Sequence, residues 1–436
     1  MKVRMKVRTT LVAAGLLAAA AQARPAPDWI AAWGTALMAP NDKVALAPAA
    51  AAHATLRQAM RLSLGGTALR VRISNRFGDE PLAIGAATVG RARAGAGDLA
   101  GPPLPLRFVG KPGVTVAPGA EIVSDPLDFP SVAGDLVAVS LAVEALPARQ
   151  SVHIAAHATQ FLAPGDQAAR PALDGARALT SWYQVDEIDV LPSAPAAELV
   201  AIGDSITDGT GAGLDRDERW PDYLQRRLGA THAPVLAVVN AGIGGNRMLA
   251  DGNGPKLAAR FAHDVLDRPG VTHALVLIGV NDLGVQHRAG RDTPDARRAL
   301  LHDLEDGWTA LAAQAHARGV CLIAGTIVPY GGSRIYQPGP DNEADRLTLN
   351  AWLRASPLFD GVADFDAALR DPDAPGRLRE TFDSGDRLHP SPAGYRAMAA
   401  AVPLDRLAAC RWRPQPGGTA PADAGTHATM HDHDTE

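Results

Sequence analysis

Only two cysteines, Cys321 and Cys410, occur in the 436 residues. That scarcity excludes a disulfide-stapled scaffold and any cysteine-rich metal site. One disulfide and two separate reduced thiols in the core both stay open, because Cys321 falls in an expected buried strand and Cys410 just past the last expected helix. Aromatic residues make up 5%, too few for a broad sugar-stacking surface, although Trp182, Tyr183, Trp220, Tyr330 and Tyr336 could supply a few platforms. No apolar run is long enough to span a bilayer: the stretch Leu11 to Ala21 offers about ten residues where roughly 20 are needed. No repeat of solenoid length is visible. Charge of neither sign dominates, with 42 Lys and Arg against 47 Asp and Glu.

What is present begins with Lys2, Arg4, Lys6 and Arg8, followed by the apolar run and the small-residue ending Ala21-Gln22-Ala23. This order is that of a cleavable secretory signal over residues 1–23, and it implies a secreted or periplasmic protein. Its removal leaves 38 positive against 47 negative residues, a net charge of −9. Such a mildly acidic protein has no general electrostatic reason to bind nucleic acid or an anionic membrane. Hydrophobic residues at 47% and charged residues at 20% describe a globular chain, and 43 Gly with 34 Pro imply many turns. The length favours two domains.

Two periodicities divide the chain. From Leu56 to about Phe161, within an expected first domain of residues 24–190, apolar residues alternate with polar ones, as in Leu69, Val71 and Ile73 with Arg70, Arg72 and Ser74 between them. Short strands are expected at Leu62 to Leu64, Leu69 to Ile73, Ala83 to Ala92, Val114 to Val116, Glu121 to Ser124, Leu136 to Val143 and Val152 to Phe161. Gly65-Gly66 reads as a hairpin turn joining the first two. With no long helix among them, an all-β sandwich or jelly roll is the economical fold.

After a Pro- and Ala-rich join at Leu191 to Ala197, buried apolar runs alternate with amphipathic segments over residues 195–412. Strands are expected at Leu199 to Ile202, Val235 to Val239, Ala274 to Ile278, Val320 to Ile327 and Val362 to Phe365. Helices are expected at Trp220 to Leu228, Lys256 to Leu266, Thr293 to Arg318, Glu343 to Ala355 and Pro392 to Ala401. Strand and helix in turn specify an α/β domain, a three-layer α/β/α flavodoxin-like parallel sheet covered on both faces. Residues 413–436, rich in Pro, Gly, Ala, Thr and Asp, read as a disordered tail. Its His427, His431 and His433 lack the anchoring that a metal site needs.

Open parallel sheets place their ligands at the carboxyl ends of the strands, and there the second half carries its polar residues. Gly203-Asp204-Ser205 follows the first strand, Asn240-Ala241-Gly242-Ile243-Gly244-Gly245-Asn246 the second, and Gly279-Val280-Asn281-Asp282 the third. Asp386 and His389 precede the last helix. Each has an ordinary structural reading: Ser205 as a helix cap, Gly245 as a turn glycine, Asn281 as a loop cap. Together they supply a nucleophile, a base, an orienting acid and oxyanion donors. Among the 13 histidines, His389 stands out for its neighbouring carboxylates. Asp383 competes with Asp386 to orient it, and the shorter spacing favours Asp386. His263, beside Asp264, is expected to face solvent from a helix. His153 and His157, four apart on an expected strand, share a face and read as core.

These four blocks, in this order, resemble those of the SGNH/GDSL hydrolase superfamily, in its secreted esterase and lipase branch with an amino-terminal β domain. The resemblance covers residues 195–405, and Trp29 to Pro40 with Arg61 to Pro81 resemble that β domain. It implies a serine esterase with Ser205 as nucleophile, His389 as base and Asp386 as its orienting acid. The backbone N–H groups of Ser205 and Gly245 and the Asn281 amide would form the oxyanion hole. No metal or organic cofactor is implied. The expected substrate is an O-acetylated carbohydrate or a short acyl ester. A lipase or phospholipase would want a long apolar groove, and no apolar lid is evident. A non-catalytic carbohydrate-binding protein on a degenerate hydrolase fold is disfavoured, since every block keeps its chemical group.

Overall fold

The computed structural model describes residues 29–93, 95–231 and 236–410. These belong to one compact unit, Ala26–Arg413. The expected leader at 1–23 and the tail at 413–436 with its histidines lie outside the described residues. Among these, no helix is long and apolar enough to cross a membrane.

Two large antiparallel sheets and a two-stranded one, Val152–His153 with Trp182–Tyr183, form the first half. One sets Ile30–Gly34, Val185–Leu191, Ala68–Ser74 and Glu121–Val123 side by side, with Leu127–Asp128 also paired to Ala68–Ser74. The other runs Arg177–Leu179, Gln160–Pro164, Ala54–Arg61, Leu136–Ala145, Leu82–Arg91 and Leu104–Pro105, with Val114–Val116 beside Leu82–Arg91. Leu69, Val71 and Ile73 of the first meet Leu56, Met60, Val139 and Leu141 of the second in one apolar core, which makes a β sandwich. The alternation fixes that packing, because residues two apart share a face.

The Gly65-Gly66 hairpin does not form. Ala54–Arg61 and Ala68–Ser74 pair within different sheets, so the glycines carry the chain across the sandwich. A Cβ at Gly65 would lie 2.3 Å from Ser131 O, so close backbone approach accounts for the glycine. The expected strand Val152 to Phe161 is also broken, into Val152–His153 and Gln160–Pro164. His157, with φ of 50°, sits in the turn between them.

The second half is built on β1 (Ala197–Gly203), β2 (Leu236–Gly242), β3 (Val271–Leu277), β4 (Cys321–Gly325) and β5 (Gly361–Ala363), all parallel in the order β2-β1-β3-β4-β5. This is the flavodoxin-like doubly wound order. Helices Trp220–Gly229, Pro294–Ala317, Pro340–Ala355 and Pro392–Ala401 lie close to the expected spans. The segment Leu257–Leu266 is part α and part π helix. An additional helix, Val280–Arg288, starts three residues beyond β3 because Gly279 turns the chain with φ of 121°. Trp220 and Trp308 are wholly buried in the core around this sheet. Cys321 and Cys410 form a disulfide at the amino end of β4.

The two halves meet through buried charge. Arg268 reaches Glu187 Oε2 at 2.6 Å and donates to Thr35 O at 2.7 Å. His263 is not a solvent-facing residue: its ring lies 2.8 Å from Asp264 Oδ1 and 3.2 Å from Glu121 Oε2, because its helix packs on the sandwich. The five candidate sugar platforms, Trp182, Tyr183, Trp220, Tyr330 and Tyr336, are all buried and serve the cores instead.

Candidate active site

Strand register decides which loops meet. Gly203, the last residue of β1, pairs with Gly242 of β2 and Leu277 of β3, so the three polar blocks leave the sheet side by side at its carboxyl edge. Gly242 has no room for a side chain, since a Cβ there would lie 2.2 Å from Asp208 N. Beyond β1, Asp204 caps a four-residue helix, Ser205–Asp208, by accepting from Ile206 N–H at 3.0 Å. Burial pushes the Asp204 carboxyl up to about 7. Ser205 opens the helix and is buried.

The loop before helix Pro392–Ala401 returns to this point. Ser205 Oγ lies 2.8 Å from His389 Nε2, and His389 Nδ1 lies 2.5 Å from Asp386 Oδ2. The second carboxylate oxygen of Asp386 accepts from Leu388 N–H at 2.9 Å and His389 N–H at 2.8 Å. Partial burial raises the Asp386 carboxyl, but the hydrogen bonds from the His389 ring and backbone outweigh it and hold the group well below the usual carboxylate range. An ionised Asp386 makes Nδ1 the protonated nitrogen and leaves the Nε2 lone pair facing the serine hydroxyl. Asp383, the rival carboxylate, accepts from Gly385 and Arg387 N–H and pairs with the Arg387 side chain at 3.2 Å, so it shapes the loop.

Asn281 is the second residue of helix Val280–Arg288 and is buried. Its Nδ2 donates to Asn246 O at 2.8 Å, and its Oδ1 accepts from Tyr336 O–H at 2.5 Å. The amide is thus fixed at both ends, with one N–H of Nδ2 left over. Gly245, with φ of 74°, sits in the turn one residue before Asn246. Behind this turn the buried guanidinium of Arg260 donates to Gly203 O and Asp264 Oδ2 at 2.8 Å, Ala241 O at 2.7 Å and Asn246 Oδ1 at 3.0 Å. Asp282 accepts from Met248 and Leu249 N–H, tying the same turn to the helix, and burial pushes its carboxyl up to about 6. The segment Gly331–Pro338 is stitched to the site twice, by Tyr336 on Asn281 and by Arg334 N–H on Asp386 O at 3.4 Å. Buried Ser333 braces it, its Oγ accepting from the N–H groups of Ile335 and Tyr336, while Arg334 and Ile335 are exposed.

All five residues singled out from sequence therefore lie on loops or helix starts at one sheet edge. Sequence reasoning missed Arg260, Asn246, Asp282 and Tyr336. Asn246 and Asp282 stand inside the quoted blocks without a role assigned to them, whereas nothing local marks Arg260 or Tyr336.

A hydroxyl on an imidazole that is itself held by a carboxylate is the arrangement of a serine hydrolase. Residues 201–397 match the family model of the GDSL-like Lipase/Acylhydrolase family and form a domain of that kind, which makes the chain a carboxylic ester hydrolase. No curated protein sequence gives a significant match. Solved structures similar to this chain include an acetylxylan esterase from Geobacillus stearothermophilus, at 22% identity over 48% of this chain and 94% of that one with a TM-score of 0.36. The aryl esterase of M. smegmatis is 16% identical over 49% of this chain and 100% of its own, with a TM-score of 0.38. An α/β hydrolase enzyme from the metagenome of Lake Arreo, Spain, is 23% identical over 49% and 97%, with a TM-score of 0.35. Likenesses this distant bear neither on substrate nor on site chemistry.

Proposed function

We propose that the protein is a secreted or periplasmic serine esterase acting on O-acetyl groups of carbohydrates or on short acyl esters. The hydrogen-bonded series Ser205, His389 and Asp386 carries this reading. His389 takes the Ser205 proton as Oγ attacks the ester carbonyl, then passes it to the leaving alcohol. Water, deprotonated by the same imidazole, cleaves the acyl-enzyme and restores Ser205. Asp386 holds the tautomer and stabilises the imidazolium. The oxyanion is received by the N–H groups of Ser205 and Gly245 and by the remaining Asn281 N–H. Asp204 occupies the N–H groups of Ile206, Thr207 and Asp208, which leaves that of Ser205 for this role.

The leader pattern supports export, and the Cys321–Cys410 disulfide suits an oxidising compartment. The burial of the aromatic residues argues against an extended sugar-stacking surface, so recognition of the acyl ester itself, with few sugar contacts, is favoured. Purified protein should hydrolyse p-nitrophenyl acetate, and Ser205→Ala should abolish turnover while the fold is kept. Turnover equal to wild type in that variant would exclude Ser205 as nucleophile. A panel of acyl lengths and acetylated sugars tests the substrate class, and a clear preference for decanoate or longer chains would overturn the short-acyl reading.

A further inference from the structure

Asp208 closes the four-residue helix that Ser205 opens, and it is buried. Facing it from the sandwich is His153, also buried, with Nε2 3.0 Å from Asp208 Oδ1 and 3.1 Å from Ala155 O, and Nδ1 3.0 Å from Ala36 O. Carbonyl oxygens only accept, so both ring nitrogens must carry hydrogen, and the contact is an imidazolium on a carboxylate. Burial lowers the His153 pKa, yet the charge and hydrogen bond of Asp208 outweigh it and hold the ring above the ordinary histidine value. The same contact keeps Asp208 low despite its burial. The other ionisable groups facing the pair are His157, with Nε2 3.9 Å from Asp208 Oδ1, Arg219 with its partner Asp222, and the buried Tyr395 phenol, which donates to Thr210 O.

A buried ion pair is weak as a source of stability, since desolvation offsets its attraction, but it can fix a position. A single helical turn has little stability of its own. The position of Ser205 therefore depends on what holds the turn: Asn240 of β2 donates to Thr207 O at 2.7 Å, and the contact on Asp208 at the far end comes from the other half of the chain.

We propose that His153 is a positioning residue for Ser205: through Asp208, the β sandwich holds the short helix so that Oγ meets His389 Nε2. The proposal rests on Ser205 being the nucleophile. A misplacement of about 1 Å at such a site costs on the order of 10²-fold in rate. The test uses the full-length protein with His153→Gln, Asp208→Asn and the double variant, assayed well below each melting temperature. The readouts are kcat and KM for p-nitrophenyl acetate, and the rate and site of labelling by a fluorophosphonate. Wild type should be labelled on Ser205. Each single variant should lose about 10- to 100-fold in kcat and labelling rate with little change in KM, and the double variant should be no worse than the poorer single one. Folded variants with wild-type kcat and a lowered melting temperature would make His153 merely structural and overturn the proposal. Additive losses in the double variant would overturn it too, by separating the two residues. If His153→Gln does not fold, Asp208→Asn decides by the same kcat and labelling criteria. A wild type that takes no label on Ser205 would sink the nucleophile reading first and this inference with it.

Discussion

Replacing Asn281 with alanine removes a side chain whose two ends are both engaged, and the effects on rate and on stability separate. The amide nitrogen holds Asn246 O and the amide oxygen holds the Tyr336 hydroxyl. Loss of an oxyanion donor costs about 10²- to 10³-fold in kcat, or roughly 3–4 kcal/mol of transition-state stabilisation. The buried Tyr336 hydroxyl and Asn246 carbonyl each lose a partner, and an orphaned buried polar group costs about 1–3 kcal/mol. Asn281→Ala should therefore lower kcat for p-nitrophenyl acetate at least about 100-fold, leave KM within a few-fold, and lower the melting temperature by several degrees. Tyr336→Phe separates the two effects, because it removes one brace while Asn246 O still orients the amide. Its kcat loss should be much smaller than that of Asn281→Ala. An Asn281→Ala enzyme keeping a third of wild-type kcat would refute the donor role, even if its stability fell as expected.

Asp386→Asn should reduce kcat by about 10⁴-fold, since the amide favours the wrong tautomer of His389; a loss under tenfold would show that another group orients the ring. Reduction of the disulfide, which spans 89 residues, should cost about 4–5 kcal/mol of stability and lower the melting temperature without changing kcat in the surviving folded enzyme. The His263 ring is pushed up to about 10, burial being outweighed by Asp264 and Glu121. The folded state thus holds this proton more tightly than the unfolded chain, so the stabilisation is complete below about pH 6.5 and disappears as pH rises through about 10. Melting temperatures across that window should fall in wild type and fall less in His263→Gln.

Much of this was legible from spacing. The period-two pattern around Leu69, Val71 and Ile73 identified a half-buried strand, and the apolar runs at Leu199, Ala274 and Val320 identified a parallel sheet whose carboxyl ends carry Ser205 and Asn281. Local signals failed where long-range contacts decide. Gly65-Gly66 has hairpin composition but sits where the backbone passes Ser131, a contact no local window contains. Nothing in the sequence around Arg260 marks it, and only the pairing of β1 with β2 brings Gly203 O and Ala241 O together at it. His263 looked solvated because its partner Glu121 is 142 positions away in sequence. The pairing of Cys321 with Cys410 was open for the same reason.

The doubly stitched segment Gly331–Pro338 separates what must be conserved in place from what is free to vary. Its backbone is held by Ser333, by Tyr336 on the oxyanion side and by Arg334 N–H on the acid side, whereas the side chains of Arg334 and Ile335 are exposed between those anchors. Substitutions at exposed positions such as these usually cost within about 0.5 kcal/mol. Two neighbouring exposed side chains can therefore be exchanged for others while the backbone beneath them stays held at Asn281 and Asp386. For a laboratory library this marks where diversity is tolerated without loss of the fold.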